Sequence, residues 1–295
     1  MPAQIDAALV TQFSAEVHQA AQQKQARLRG MVMNKLMSGE VFAYDGLGTA
    51  EMQELTGRIN PTTFSDIDHK RRKITRRRFV LTLPVDAADV RSVLISPKSE
   101  YAAAVARAGE RVYDRVVLES AFASVYTGRE FGTTVSFATD GGQTVTATAG
   151  VTYEKLLELG QNFLDKEVGV ESGEKVALCI SAEEHTALMK ELELTSGDYT
   201  RRSVVDGGRI ANAVGLDLII FGGGISNPLL SVSGGVRSNV AMSSRGICVG
   251  MSKELAVNIS ERNDLVETSQ VQAILDMGAV RTEGVLVQKF TSTDA

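Results

Sequence analysis

The chain has 295 residues, 43% hydrophobic and 23% charged, enough to bury one large core or two smaller ones. A formal net charge of −5 argues against a protein whose main task is gripping nucleic acid, because such proteins carry positive charge to displace counterions from phosphate. Only three histidines, His18, His69 and His185, leave little for acid–base or zinc chemistry, and no apolar run is long enough to cross a bilayer.

Met1–Val10 does not read as a secretory signal. Ile5, Leu9, Phe13, Val17 and Ala21 recur every four positions among polar residues, which predicts an amphipathic helix ending near Gly30. Its stripe can pack on its own domain or lie on a neighbour as an arm; both readings stay open. From Met31 to Leu83, two β-prone pieces (Val41–Tyr44 and Ile74–Leu83) flank a long polar stretch with Asp45-Gly46, Gly48, Gly57 and Asn60-Pro61. The pattern predicts an extended two-stranded arm projecting from the body.

Ser96 and Pro97 suit the start of a helix. Tyr101, Val105, Ala108, Val112 and Val116 form its stripe, Val125 widens it and Gly128 ends it, so a spine of roughly 45 Å is expected over 96–127. Gly109, about 1 kcal/mol unfavourable mid-helix, points to a close backbone contact or a bend. Phe131–Phe137 and Gln143–Thr148 alternate around Asp140-Gly141-Gly142 and predict a hairpin. Val151–Lys166 reads as a second amphipathic helix and Lys175–Ile180 as a buried strand. Ser181-Ala182-Glu183-Glu184 is a capping box that opens another helix. Strand-like pieces follow in a glycine-rich region at Leu216–Phe221, Val240–Ser243, Ile247–Met251 and Ala256–Ser260, and Thr268–Leu275 and Gly284–Phe290 close the chain.

No catalytic, cofactor or metal site is read from the motifs. Gly222-Gly223-Gly224 follows a strand, but Asn227 stands where a dinucleotide loop needs its third glycine. Ser172-Gly173-Glu174-Lys175 fits S-x-x-K spacing without the companion motifs of the acyl-enzymes. Asp66, Asp68 and His69 lack the further oxygen ligands a hard cation needs. Cys179 and Cys248, far apart in apolar stretches, are expected to be buried free thiols.

The dense charge feature is Lys70, Arg71, Arg72, Lys73, Arg76, Arg77 and Arg78, seven basic residues in nine positions. With no aromatic interleaving for base stacking, a solvated strand face or an acidic protein partner is favoured over nucleic acid. The chain itself offers Glu119, Glu130, Glu154, Glu158, Asp165, Glu167, Glu183 and Glu184 as partners.

The order of elements, with Lys175–Ser181 leading into Glu183–Leu194 and Gly197-Asp198-Tyr199, resembles the major capsid proteins of tailed bacteriophages, the Hong Kong ninety-seven-type fold. Ile247–Val257 followed by Glu261-Arg262-Asn263-Asp264, and Gly278–Val287, are similar to that family's late strands. Gln4-Ile5-Asp6, Ala43–Gly48 and Arg76–Val80 resemble a subgroup of phage coat proteins. The resemblance implies an α+β fold with an N-terminal arm (1–30), an extended loop (31–83), a peripheral domain (84–150 and 265–295, with its spine helix at 96–127) and an axial domain (151–264). It implies self-assembly into hexamers and pentamers that form an icosahedral or elongated head, in the virion, after assembly in the host cytoplasm.

Implied partners are a separate scaffolding protein, a portal, a cement protein as a further candidate, and packaged double-stranded DNA contacted weakly and without sequence specificity; no membrane is implied. No lysine–asparagine cross-linking pair is identifiable. The expected contacts between subunits are the basic run and the stripe of Ile5, Leu9, Phe13 and Val17. The alternatives are a hydrolase or transferase with an unrecognised site, or another virion protein such as a decoration or tail-tube protein. The long helix and projecting arm argue against both.

Overall fold

The structure is a computed structural model that describes residues 23–52, 54, 64–86, 98–148, 150–169, 172–191, 205–206, 209–222, 229–262 and 268–293. In chain order its elements begin with β1 (Met33–Leu36), β2 (Val41–Leu47), β3 (His69–Thr75), β4 (Arg77–Asp86) and α1 (Lys98–Phe122). Next come β5 (Val125–Thr127), β6 (Thr133–Val135), β7 (Gln143–Ala147), α2 (Tyr153–Leu164), β8 (Val176–Ser181) and α3 (Ala182–Leu188). The short strands β9 (Val205–Asp206), β10 (Arg209–Ile210) and β11 (Asn212–Ala213) lead to β12 (Leu216–Phe221), β13 (Ser231–Ser233) and β14 (Val236–Ser243). The long strands β15 (Ile247–Arg262) and β16 (Thr268–Arg281) precede β17 (Val287–Thr293).

The chain divides into two compact units, one holding Arg77–Tyr113 and Lys253–Met277, the other Arg27–Arg76, Asp114–Ser252 and Gly278–Ala295. In the first, β4 runs antiparallel to β16, from Thr268 opposite Asp86 to Met277 opposite Arg77. Val85, Val105, Val271 and Ala273 form its buried cluster, with Leu255 packed against them. Gly109 lets that packing happen, because a Cβ there would lie 2.5 Å from Leu255 Cδ1. The close approach at Gly109 is thus made by a side chain, where the sequence suggested a backbone contact or a bend.

The second unit is built on a mixed sheet in the order β11-β12-β8-β14-β17-β7, with β13 beside β14. Every residue of β8 is buried, as expected of a strand that is parallel to β12 on one side and antiparallel to β14 on the other. Helix α2 lays Leu156, Leu159 and Phe163 on Leu178, Ile180, Leu218 and Phe290. Each such side chain contributes about 1.5–3 kcal/mol by leaving water. The capping box at Ser181 is formed: Glu184 N–H donates to Ser181 Oγ, and Ser181 N–H donates to the Glu184 carboxylate at 2.7 Å. Cys179 and Cys248 are free and buried.

Four sequence expectations are corrected. The segment before Gly30 is not helical from Gln23 to Leu28. There the N–H groups of Arg27 and Leu28 donate to Asp114 at 3.0 and 3.1 Å, and that of Ala26 donates to Glu110, where a helix would use carbonyls of the preceding turn. The spine helix stops at Phe122. Val125, Tyr126 and Thr127 instead form β5, as β-branched and aromatic residues favour. The expected hairpin of 131–148 does not close: β6 pairs with β5, and β7 runs parallel to β17. The Asp140-Gly141-Gly142 turn exists, with Gly142 N–H donating to Phe137 O at 3.0 Å, but it redirects the chain between sheets. Finally, Ile74–Leu83 is not one strand. β3 ends at Thr75 and pairs with β2, while β4 leaves for β16. The Ser96-Pro97 start, Gly223-Gly224 of the glycine bend and Gly197-Asp198-Tyr199 lie outside the described residues.

Candidate functional site

Alternation along β3 sorts the basic run by face. Arg72 and Ile74 point inward and are buried, while Arg71, Lys73 and Thr75 point the other way. Against water Arg72 would be costly to bury, so its partners matter. Its guanidinium grips Asp140 with both arms, Nη1 to Oδ2 at 2.8 Å and Nη2 to Oδ1 at 2.6 Å, and Nη1 also donates to Arg281 O at 3.0 Å. Arg281, fully buried, donates from Nε to the same carboxylate at 2.9 Å and from Nη1 to the carbonyls of Ala121 and Ala123 at 2.8 and 3.0 Å. Phe137 lies under the Arg281 guanidinium at 5.2 Å and meets Phe122 edge to face. Burial raises the Asp140 pKa, but the hydrogen bonds and charges of the two arginines outweigh it and hold the carboxyl below its ordinary range. One carboxylate thus pins the root of the β2–β3 ribbon, the end of α1 and the end of β16.

The other basic residues divide. Arg71 pairs with its cross-strand neighbour Asp45 at 2.6 Å, Lys70 lies 3.7 Å from Glu283, and the Lys73 ammonium sits 5.9 Å over the Tyr126 ring. Arg76 is half-buried between the strands, its N–H donating to Glu40 O at 2.9 Å. Arg77 lies over Phe79 at 5.1 Å, and Arg78 pairs with buried Asp276 at 2.8 Å across the β4–β16 ladder. Within the chain these pairings bring in Asp45, Asp140, Asp276 and Glu283. Of the acids the sequence suggested as partners, Glu183 pairs with Arg237 at 3.5 Å, and Glu184 is buried in its cap with Asn239 and Ser292. Ile5, Leu9, Phe13 and Val17 lie outside the described residues.

The sequence reading missed the Arg72–Asp140–Arg281 cluster. Its signals were an arginine ending the uncharged run Met277–Val280 and an aspartate opening a double-glycine turn.

Several surfaces are open among the described residues. The ribbon and the loop after β16 enclose a polar cleft of about 610 Å³ lined by Tyr44, Asp68, Lys70, Arg245 and Glu283. In the other unit an apolar groove of about 240 Å³ runs between Phe79, Leu81, Val112 and Leu255. Leu47, at the last pair of the ribbon, and Met52 and Phe64 beyond it are exposed. Among the described residues no group of three or more His, Cys, Asp or Glu could hold a metal ion. No described helix is long and apolar enough to cross a membrane.

Over residues 5–291 the sequence matches the family model for phage capsid protein. Among curated proteins nothing matches. The fold is similar to the head structure of Helicobacter pylori bacteriophage KHP40, with a TM-score of 0.73, 11% identity and 96% of each chain covered. It is also similar to the acidic stable capsid structure of Helicobacter pylori bacteriophage KHP30, with a TM-score of 0.72, 9% identity, and 98% of this chain and 97% of that one covered. The capsid structure of cyanophage P-SCSP1u gives a TM-score of 0.71 at 11% identity, covering 97% of this chain and 94% of that one. At these identities the likeness shows the fold, which is the α+β capsid fold the sequence led us to expect.

Proposed function

The chain belongs to the phage capsid protein family, a component of the virion, and from that premise we propose that it is a non-enzymatic shell subunit whose hexamers and pentamers close around packaged double-stranded DNA. The observation that carries the reading is the family match across residues 5–291, which takes in nearly every described element. The geometry supports it: the ribbon is fixed at its root by Arg72 while Leu47, Met52 and Phe64 stay exposed. Exposed apolar side chains gathered on a projection are the mark of a surface used by a partner.

The extended loop, expected over 31–83, is proposed to end at Arg76, a bound that the pairing of β4 with β16 supports. The peripheral and axial domains, the N-terminal stripe of Ile5, Leu9, Phe13 and Val17, and the partners (scaffolding protein, portal, cement protein, weakly held DNA) complete the proposal. Electron microscopy of the purified protein, alone and after co-expression with the other head genes, tests it. Closed shells are expected; a homogeneous monomer of 31.6 kDa under both conditions would overturn it.

A further inference from the structure

The shell reading leaves open which surface of one copy receives the ribbon of the next. Two exposed faces within the second unit are complementary. The outward face of the ribbon carries Arg71 and Lys73, with Val41 and Leu47 from β2 and Tyr126 and Arg129 from the adjoining chain. Leu47 is 65% and Tyr126 51% exposed, so this face is apolar as well as basic. Asp45 is the carboxylate among them, and Arg71 already engages it.

Helix α2 presents the matching pattern. Its inner face buries Leu156, Leu159, Gly160 and Phe163. Glu154, Leu157, Glu158, Gln161, Leu164 and Asp165 fall on the opposite side, within an arc of about 120° at 100° per residue. All six are exposed, Leu157 at 43% and Leu164 at 56%. Lys155, at the margin, is clipped to Glu158 at 2.6 Å. Three carboxylates therefore line one side of two leucines, and Lys155 engages one of them, Glu158, from the margin. The lengths agree: Glu154 to Asp165 spans about 16 Å of helix, and Val41 to Leu47 about 20 Å of strand.

We propose that the outward face of the β2–β3 ribbon of one copy docks on the acidic, leucine-bearing face of α2 of a second copy. Leu157 and Leu164 meet Leu47, Val41 and Tyr126, and Glu154, Glu158 and Asp165 meet Lys73, Arg71 and Arg129. Because the two faces differ, each copy grips one neighbour and is gripped by another. Such a head-to-tail contact closes into rings when the rotation per step divides the circle. The inference rests on the shell reading and adds the receiving surface to it.

Zero-length carbodiimide coupling of the unmodified protein provides the test, using particles assembled from a mixture of light and heavy-isotope subunits. Lys73 is expected to couple to Glu154, Glu158 or Asp165 in mixed-isotope peptides, and to lose those products in unassembled subunits. Particles in which Lys73 couples only within one chain, to other carboxylates, or not at all would overturn the docking and leave the shell reading intact. Failure to form any particle would overturn both. As a second measurement, the Glu154→Lys, Glu158→Lys, Asp165→Lys variant should lower particle yield at least tenfold while its circular dichroism stays that of the parent. An unchanged yield would count against the docking.

Discussion

Arg72 and Asp140 stand 68 residues apart in the chain and share two hydrogen bonds of 2.8 and 2.6 Å, with side chains only 6% and 10% exposed. Replacing Asp140 with Ala leaves the Arg72 and Arg281 guanidiniums facing each other without a counter-charge. Removing one partner of such a buried pair costs about 3–5 kcal/mol. Urea unfolding of the subunit should show the midpoint falling accordingly, with Arg71→Ala, whose pair is exposed and screened by solvent, leaving it nearly unchanged.

Acid should weaken the fold in two stages. Ile210 N–H donates to His185 Nε2 at 3.1 Å, so the folded state needs the neutral ring, and burial, then the Arg209 charge, lower its pKa from 6.5. The unfolded chain takes up the proton first as pH falls. Stability is therefore complete above about 6.5 and declines below it until the folded ring titrates too. Asp140 behaves in the same direction lower down: stability present above the ordinary carboxylate pKa is lost as pH falls through its depressed folded value. Thermal melts from pH 8 to 5 should show the first loss, and His185→Gln, which keeps an acceptor without the titration, should flatten it.

Two glycines should tolerate alanine differently. At Gly109 the obstacle is the flexible end of Leu255, so the cost is about 1 kcal/mol, offset in part by better helix propensity. At Gly278 the obstacle is the backbone carbonyl of Thr75, which cannot step aside. Gly278→Ala should cost at least twice as much, and Leu255→Ala should cancel the Gly109→Ala penalty in a double-mutant cycle.

Neither thiol should react in the folded subunit. Burial is the main cause that pushes the Cys179 thiol far up and raises Cys248 to about 11, so almost no thiolate exists at pH 8. A chromogenic disulfide reagent should titrate both only after denaturation, and reaction of either in the folded state would contradict the packing.

Periodicity carried much of the fold. The buried run of β8, the apolar face of α2 and the capping box at Ser181 were all legible, because each is decided by residues a few positions apart. The end of α1, the pairing of β6 and β7, and the departure of β4 from the ribbon were not, because partners from distant parts of the chain decide them: Arg72 opposite Thr127, Gln288 opposite Gln143, Met277 opposite Arg77. The basic run showed the same limit. Its charge was visible in the sequence, but the inward turn of Arg72 and the capture of Arg78 by Asp276 depend on strand register. Reversing Arg78 would place a carboxylate against buried Asp276 and disturb the subunit itself, which makes Lys73 the better probe of contacts between copies.

The carbonyl of Arg281 accepts from Arg72 across 209 residues of sequence. At about 5–20 residues per second, a growing polypeptide carries β3 for some 10–40 s before its anchor has been translated. For the later part of that interval the root holds Arg72 and Asp140 but lacks the Arg281 half of the cluster, so the ribbon's outward face is without part of its support. Synthesis order itself thus delays the appearance of the adhesive surface, and nascent chains crowded along one messenger are kept from joining before each is nearly complete.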